Sequence, residues 1–115
     1  LHCPLNNETQ NLITLQELSL MKNNAIIINA ARGGIINEHD LFLALKNKII
    51  RAAIVDVLTQ EPPSEGNILF NAPNILITPH IAWTSVEARQ KLVDGLTDNI
   101  QKFTDGKANE IMIKQ

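Results

Sequence analysis

A chain of 115 residues suits one domain or a large piece of one, and 44% apolar content is enough for a core. The net charge is −2 and the ten basic residues are scattered, which argues against a nucleic-acid surface. Apolar runs of about five residues are far too short for a membrane span, the single Cys3 cannot form an internal disulfide, and no Cys/His cluster has metal-ligand spacing. The composition is that of a cytoplasmic protein, with no nucleic-acid or membrane partner expected.

The chain opens on LHCPLNN, without Met, and Leu-His-Cys-Pro reads as the tail of a strand running into a loop. A C-terminal piece of a longer protein is the expectation. Thr14 and Glu17 have capping-box spacing for a short helix from Leu15 to about Met21. AIIIN, Ala25 to Asn29, reads as a fully buried strand. ARGG follows as a loop. Asn37 then caps a helix to about Asn47, with Leu41, Ala44 and Leu45 on one face. AAIVDV, Ala52 to Val57, is a second buried strand. TQEPPSEGN is a loop, because Pro62 and Pro63 remove two backbone donors. NILIT is the third strand. Thr84, with Glu87, caps a long final helix carrying Leu92, Leu96, Ile100 and Phe103 as a stripe; Asp105-Gly106 ends it. Gly95, inside that helix, costs roughly 1 kcal/mol against Ala.

Strands alternating with helices predict an α/β fold with a parallel sheet and helices on its faces. Ligands of such sheets bind beyond the carboxyl ends of the strands. Arg32 follows the first strand, Asp56 ends the second, Glu61 follows it and His80 follows the third. Each has an ordinary reading: an exposed loop Arg, an internally bonded Asp, a solvated Glu, a surface or structural His. Together on one rim they gain another. An Arg fork clamps a carboxylate. A His titrates near neutrality, and a neighbouring carboxylate favours its protonated form. Asp56, in a buried strand, needs a partner, either a loop amide or a ligand amide. Arg, Glu and His around an anionic carbonyl compound leave hydride to be delivered by something other than a side chain, and a nicotinamide cofactor is the usual answer.

The stretches HCPLNNET (2–9), MKNNAIIINAARGGIINEHDL (21–41), AAIVDVLTQEPP (52–63) and NILITPHIAW (74–83) are similar, in order and spacing, to the C-terminal part of the D-isomer-specific 2-hydroxyacid dehydrogenases. The similarity continues through FTDGKANEI near the end. The resemblance implies the C-terminal half of a Rossmann-like NAD-binding domain over residues 1–83. It implies that residues 84–115 return to the substrate domain and pack there with Ile111 and Met112. It implies that Arg32 binds the substrate carboxylate and carbonyl, that His80 is the acid/base and that Glu61 is its partner. Asp56 would hold the nicotinamide carboxamide with the backbone at Ala30. Cys3 and Pro4 would line the adenosine side, and His80 to Ala82 would border the nicotinamide.

Within the family, PHIAW is similar to the glycerate dehydrogenases, also called hydroxypyruvate reductases. That implies a 2-keto acid substrate such as hydroxypyruvate or glyoxylate, NAD or NADP as cofactor, and a homodimer. Trp83 reads equally well as a packed loop aromatic. Lys48 and Ala52 stand where the family usually has Gly, and Lys48 needs a strained or different helix end. The phosphate-binding Gly-x-Gly-x-x-Gly loop and the acidic ribose-binding residue would lie upstream of Leu1. The chain alone is therefore expected to be inactive and prone to self-association. A corepressor-like NAD sensor of the same fold, or a non-catalytic fragment, are the alternatives.

Overall fold

The computed structural model describes residues 1–107. They fall into two compact units, Leu1–His80 and a second from Ile81 onward. The first unit is built from α1 (Leu15–Ser19), β1 (Ile26–Asn29), α2 (Glu38–Lys46), β2 (Ala52–Val55), a 3-10 helix (Ile68–Asn71) and β3 (Ile75–Ile77). The sheet is parallel, in the order β1-β2-β3, with Ile28 beside Ile54 and Ile54 beside Leu76. The 3-10 helix is the one element of this unit without a counterpart in the sequence reading. It follows the proline loop and is capped by Asn67, whose side chain accepts from the Leu69 N–H at 2.9 Å.

The helix starts follow their caps. The Glu17 carboxylate accepts from the Thr14 N–H at 2.8 Å and from its hydroxyl at 2.6 Å, as the capping box predicts. Asn37 accepts from the Asp40 N–H at 3.1 Å to start α2. The Asp40 carboxylate then accepts from the Leu15 N–H at 3.0 Å and ties α1 to α2. Lys48 adopts the left-handed conformation (φ 57°) that Gly usually takes after a helix. Lys48 N–H bonds to Leu45 and Ile49 N–H to Ala44, which satisfies the last carbonyls in a Schellman pattern.

Leu18, Ile27, Leu41, Ala44, Leu45, Ala53, Val55 and Leu69 form one buried cluster between the two helices, the 3-10 helix and one face of the sheet. Truncating such a side chain to Ala costs about 2–5 kcal/mol. The strands are not buried on both faces, as their continuous apolar runs suggested. Along β1 the residues alternate exposed and buried. Ile26, Ile28 and Leu76, on the other face, remain 49%, 51% and 56% exposed. An apolar run suits a strand covered twice, but the core of this unit covers only one face.

The second unit contains α3 (Val86–Thr104). Its cap is Ser85, not Thr84: the Ser85 hydroxyl accepts from the Ala88 N–H at 3.1 Å. The Thr84 hydroxyl instead donates to the Ile81 carbonyl at 2.7 Å, so it closes the preceding turn. Leu92, Leu96, Ile100 and Phe103 fall on one stripe of α3 and are all exposed. Asp98 pairs with Lys102 at 2.8 Å, and Gly106 (φ 74°) ends the helix. Ile111 and Met112 lie outside the described residues. Among the described residues, no helix is long and apolar enough to cross a membrane.

Candidate active site at the carboxyl edge of the sheet

The parallel order puts the ends of β1, β2 and β3 on one edge, so Arg32, Asp56 and His80 emerge along the same rim. At the end of β1, Asn29 is only 2% exposed. Its side chain donates to the Arg32 carbonyl at 2.9 Å and accepts from the Ala31 N–H at 3.1 Å. Its own carbonyl accepts from the Asp56 N–H at 2.9 Å. One buried amide therefore shapes the Arg32 loop while its backbone registers that loop on β2. Arg32 itself is exposed, and its guanidinium donates to the Ala31 carbonyl at 2.7 Å.

Asp56 follows β2 and is 5% exposed. Its Oδ1 accepts from the Thr78 hydroxyl, a partner on the neighbouring chain segment that the sequence reading did not name. Thr78 N–H also donates to the Val55 carbonyl at 3.0 Å, extending the β2–β3 ladder to this point. The carboxylate is thereby oriented from the neighbouring strand.

Glu61 and His80 meet. The imidazole Nδ1 lies 2.7 Å from Glu61 Oε2. Glu61 Oε1 accepts from the Leu58 N–H at 2.8 Å, which fixes the carboxylate against its own loop. The His80 bond first, and the Leu58 amide second, hold the Glu61 carboxyl below its ordinary value, against opposing pushes from burial and the Asp56 charge. An ionised carboxylate can only accept, so the hydrogen in this contact sits on Nδ1. His80 has φ 55°, and its N–H bonds back to Thr78 O at 3.0 Å in a tight turn that brings the ring to Glu61. A left-handed non-glycine residue costs about 1–2 kcal/mol, a cost the surrounding contacts must offset.

Asp56, Glu61, Thr78 and His80 line one cleft of about 650 Å³, with Phe70 and Pro62 among its apolar walls. That lining does not include Arg32 or Ala30, nor Cys3 and Pro4, which lie near the start of the chain, half-buried and exposed respectively. Ala82 and Trp83 are exposed and belong to the second unit. The sequence reading passed over three residues. Asn29 ends an apolar strand, a visible signal of a buried polar job. Thr78 and Glu38 carried no signal of their own, because their roles depend on contacts across the fold. Glu38 accepts from Thr59 N–H and Asn67 Nδ2 of the Glu61 loop. Gly33 packs against the Leu58–Thr59 backbone. Among the described residues, no group of three His, Cys, Asp or Glu side chains could hold a metal ion.

A parallel α/β sheet with polar groups gathered on its carboxyl rim is the arrangement of a Rossmann-like half-domain, whose ligands bind at that rim. The family model for the D-isomer specific 2-hydroxyacid dehydrogenase NAD-binding domain matches residues 1–82, and the chain belongs to this family. It is 48% identical over 114 residues to a glycerate dehydrogenase of Methylorubrum extorquens, covering 97% of this chain and 36% of that protein. It is 39% identical to a hydroxypyruvate reductase of Blautia hydrogenotrophica, over 99% of this chain and 35% of that protein. Among solved structures, an acyclic imino acid reductase in complex with NADPH and D-Arg superposes with a TM-score of 0.84 at 37% identity, covering 97% of this chain and 36% of that one. D-lactate dehydrogenase with NAD+ from Lactobacillus jensenii gives 0.81 at 28% identity, covering 99% and 38%. The chain thus spans about a third of the length of the curated relatives it matches.

Proposed function

We propose that this chain forms the nicotinamide-facing part of an enzyme that reduces a 2-keto acid, hydroxypyruvate or glyoxylate, to the D-2-hydroxy acid. The Glu61–His80 contact, at the rim of a cleft that also holds Asp56, carries the reading. The names of the similar glycerate dehydrogenase and hydroxypyruvate reductase support the substrate class. The end of the family match at residue 82 supports assigning 1–83 to the nucleotide-binding domain and 84–115 to the substrate domain.

The residues fit a nicotinamide. Asp56 is a buried acceptor oriented by Thr78 at the cleft, suited to a carboxamide N–H, and the backbone at Ala30 lies beyond the end of the adjacent strand. Cys3 and Pro4 would face the adenosine side, and Ala82 would border the ring. The bound cofactor supplies hydride to the substrate carbon. NAD and NADP both meet these contacts, since none of them reads the ribose 2′ position.

The chain's own residues then do three things. Arg32 binds the substrate carboxylate and orients its carbonyl. Glu61 holds Nδ1–H, so Nε2 is the nitrogen that exchanges the proton. His80 donates that proton to the carbonyl oxygen in reduction and takes it back in oxidation, a role that contributes about 10²–10⁴-fold in rate.

The test is NADH oxidation by the full-length polypeptide carrying this chain, with hydroxypyruvate, glyoxylate, pyruvate and 3-phosphohydroxypyruvate, beside His80→Asn. Turnover of hydroxypyruvate that drops by about 10²–10⁴-fold in the variant is expected. Tight NADH binding without turnover of any keto acid would replace the enzyme by an NAD-sensing protein.

A further inference from the structure

The Glu61 loop is held from outside by a residue with no part in the chemistry above. Glu38 begins α2, and its two carboxylate oxygens reach the two ends of the loop. Oε1 accepts from the Thr59 N–H at 2.6 Å, and Oε2 accepts from Asn67 Nδ2 at 3.0 Å. Between Thr59 and Asn67 lie Glu61, Pro62 and Pro63, all exposed. Both anchor points adjoin fixed structure. Thr59 follows the buried Leu58, whose N–H bonds Glu61, and Asn67 caps the 3-10 helix whose Leu69 lies in the core.

We propose that Glu38 is a positioning residue: by clamping both ends of the loop it sets the height of Glu61 and so the aim of His80. The proposal rests on the dehydrogenase reading for its catalytic consequence. An acidic residue in the first turn of a helix has an ordinary role, since it complements the positive end of the helix dipole. That role requires no contact with a separate loop. Two charge-assisted bonds to two points of one loop are a different arrangement, because they convert a long flexible connection into a short one. The loop then holds a carboxylate whose placement matters on the scale of 1 Å, where misplacement is costly in rate.

The test compares Glu38→Ala, Glu38→Gln, Glu61→Gln and the Glu38→Ala/Glu61→Gln double variant in the full-length polypeptide. Glu38→Ala is expected to lower kcat on hydroxypyruvate about tenfold or more, with the Kd of NADH unchanged. Glu38→Gln keeps the acceptor for Thr59 and is expected to recover part of that loss. In the Glu61→Gln background, removing Glu38 is expected to change kcat by less than about twofold, because residues acting through one another are not additive. Exchange of the Leu58 amide hydrogen, which reports its bond to Glu61, is expected to quicken about tenfold in Glu38→Ala. An unchanged kcat, equal losses in both backgrounds, or an unchanged Leu58 exchange rate overturns the proposal. If the wild type reduces no keto acid, the dehydrogenase reading fails, and Leu58 exchange still decides whether Glu38 positions Glu61. If Glu38→Ala does not fold, Glu38→Gln carries the same comparisons with smaller changes expected, because it loses only the acceptor for Asn67.

Discussion

Gly33 and Leu58 occupy one space: a Cβ on Gly33 would lie 1.9 Å from the Leu58 carbonyl oxygen and 2.6 Å from Thr59 N. The obstacle is backbone, so no side-chain rotation relieves it. This contact seats the loop that carries Arg32 directly on the loop that carries Glu61. Two site residues from loops that follow different strands are therefore spaced by a glycine.

Gly33→Ala must push these loops apart. Overpacking of this kind costs about 1–3 kcal/mol, and here the displacement falls on Leu58, whose N–H fixes Glu61. The expected outcome is a lower urea midpoint together with a loss of kcat/KM. Gly66→Ala is the comparison, because nothing lies within 4 Å of a Cβ there; it is expected to stay within about 0.5 kcal/mol of wild type. Equal stability for the two variants would refute the close packing.

Asn29→Ala leaves the Arg32 carbonyl and the Ala31 N–H without their partner in a partly buried setting. An unsatisfied buried polar group costs about 1–3 kcal/mol. Asn29→Asp keeps the acceptor for Ala31 but loses the donor to Arg32 and buries a charge, so it is expected to be no better. Chemical denaturation of both variants measures this. A neutral Asn29→Ala would mean that the Arg32 loop holds its shape without the amide.

Much of this fold is written in local chemistry. Thr14 with Glu17 and Asn37 with Asp40 act within one turn, so each was legible as a cap. The three strands and their parallel order followed from apolar runs alternating with helices. Arg32, Asp56, Glu61 and His80 were legible as a rim because strand ends in a parallel sheet share one edge. What stayed hidden is what depends on distance in space. Choosing Ser85 over Thr84 as the cap turns on which hydroxyl the preceding turn uses. The Thr78 hydroxyl on Asp56 bridges 22 positions, and Glu38 reaches Thr59 across 21. Nothing in their immediate sequence marks either contact. Lys48 shows the opposite case: a missing glycine left either a strained or a different helix end open, and the backbone takes the left-handed one.

The Glu61–His80 pair has a pH signature. The Glu61 carboxyl is held below its ordinary value, by the His80 bond first and the Leu58 amide next. A depressed carboxyl favours the folded state above its unfolded value, and that contribution is lost as pH falls through the folded value. The window therefore opens at about pH 5 and extends downward. Both side chains are partly exposed, at 45% for His80 and 36% for Glu61. Water screens the pair, so the contribution is at most about 1 kcal/mol. Unfolding free energy measured from neutral to acid pH should fall less steeply in Glu61→Gln than in wild type. Identical acid slopes would show that the pair adds nothing to stability.

His80 must satisfy two demands at once, a left-handed backbone and an imidazole aimed at Glu61. The choice of substitution separates them. Asn enters the left-handed region readily, whereas a β-branched residue is a poor fit there. His80→Asn should therefore keep near-wild-type stability, while His80→Val should lose about 1–2 kcal/mol or more. Both lack the imidazole and should lose keto acid reduction by about 10²–10⁴-fold. Thermal unfolding and steady-state kinetics on the two variants decide the matter. If Val is as stable as Asn, the turn relaxes at no cost and the backbone is not what aims the ring. If Asn keeps full activity, proton transfer does not pass through His80, and the site's chemistry must be assigned to another group.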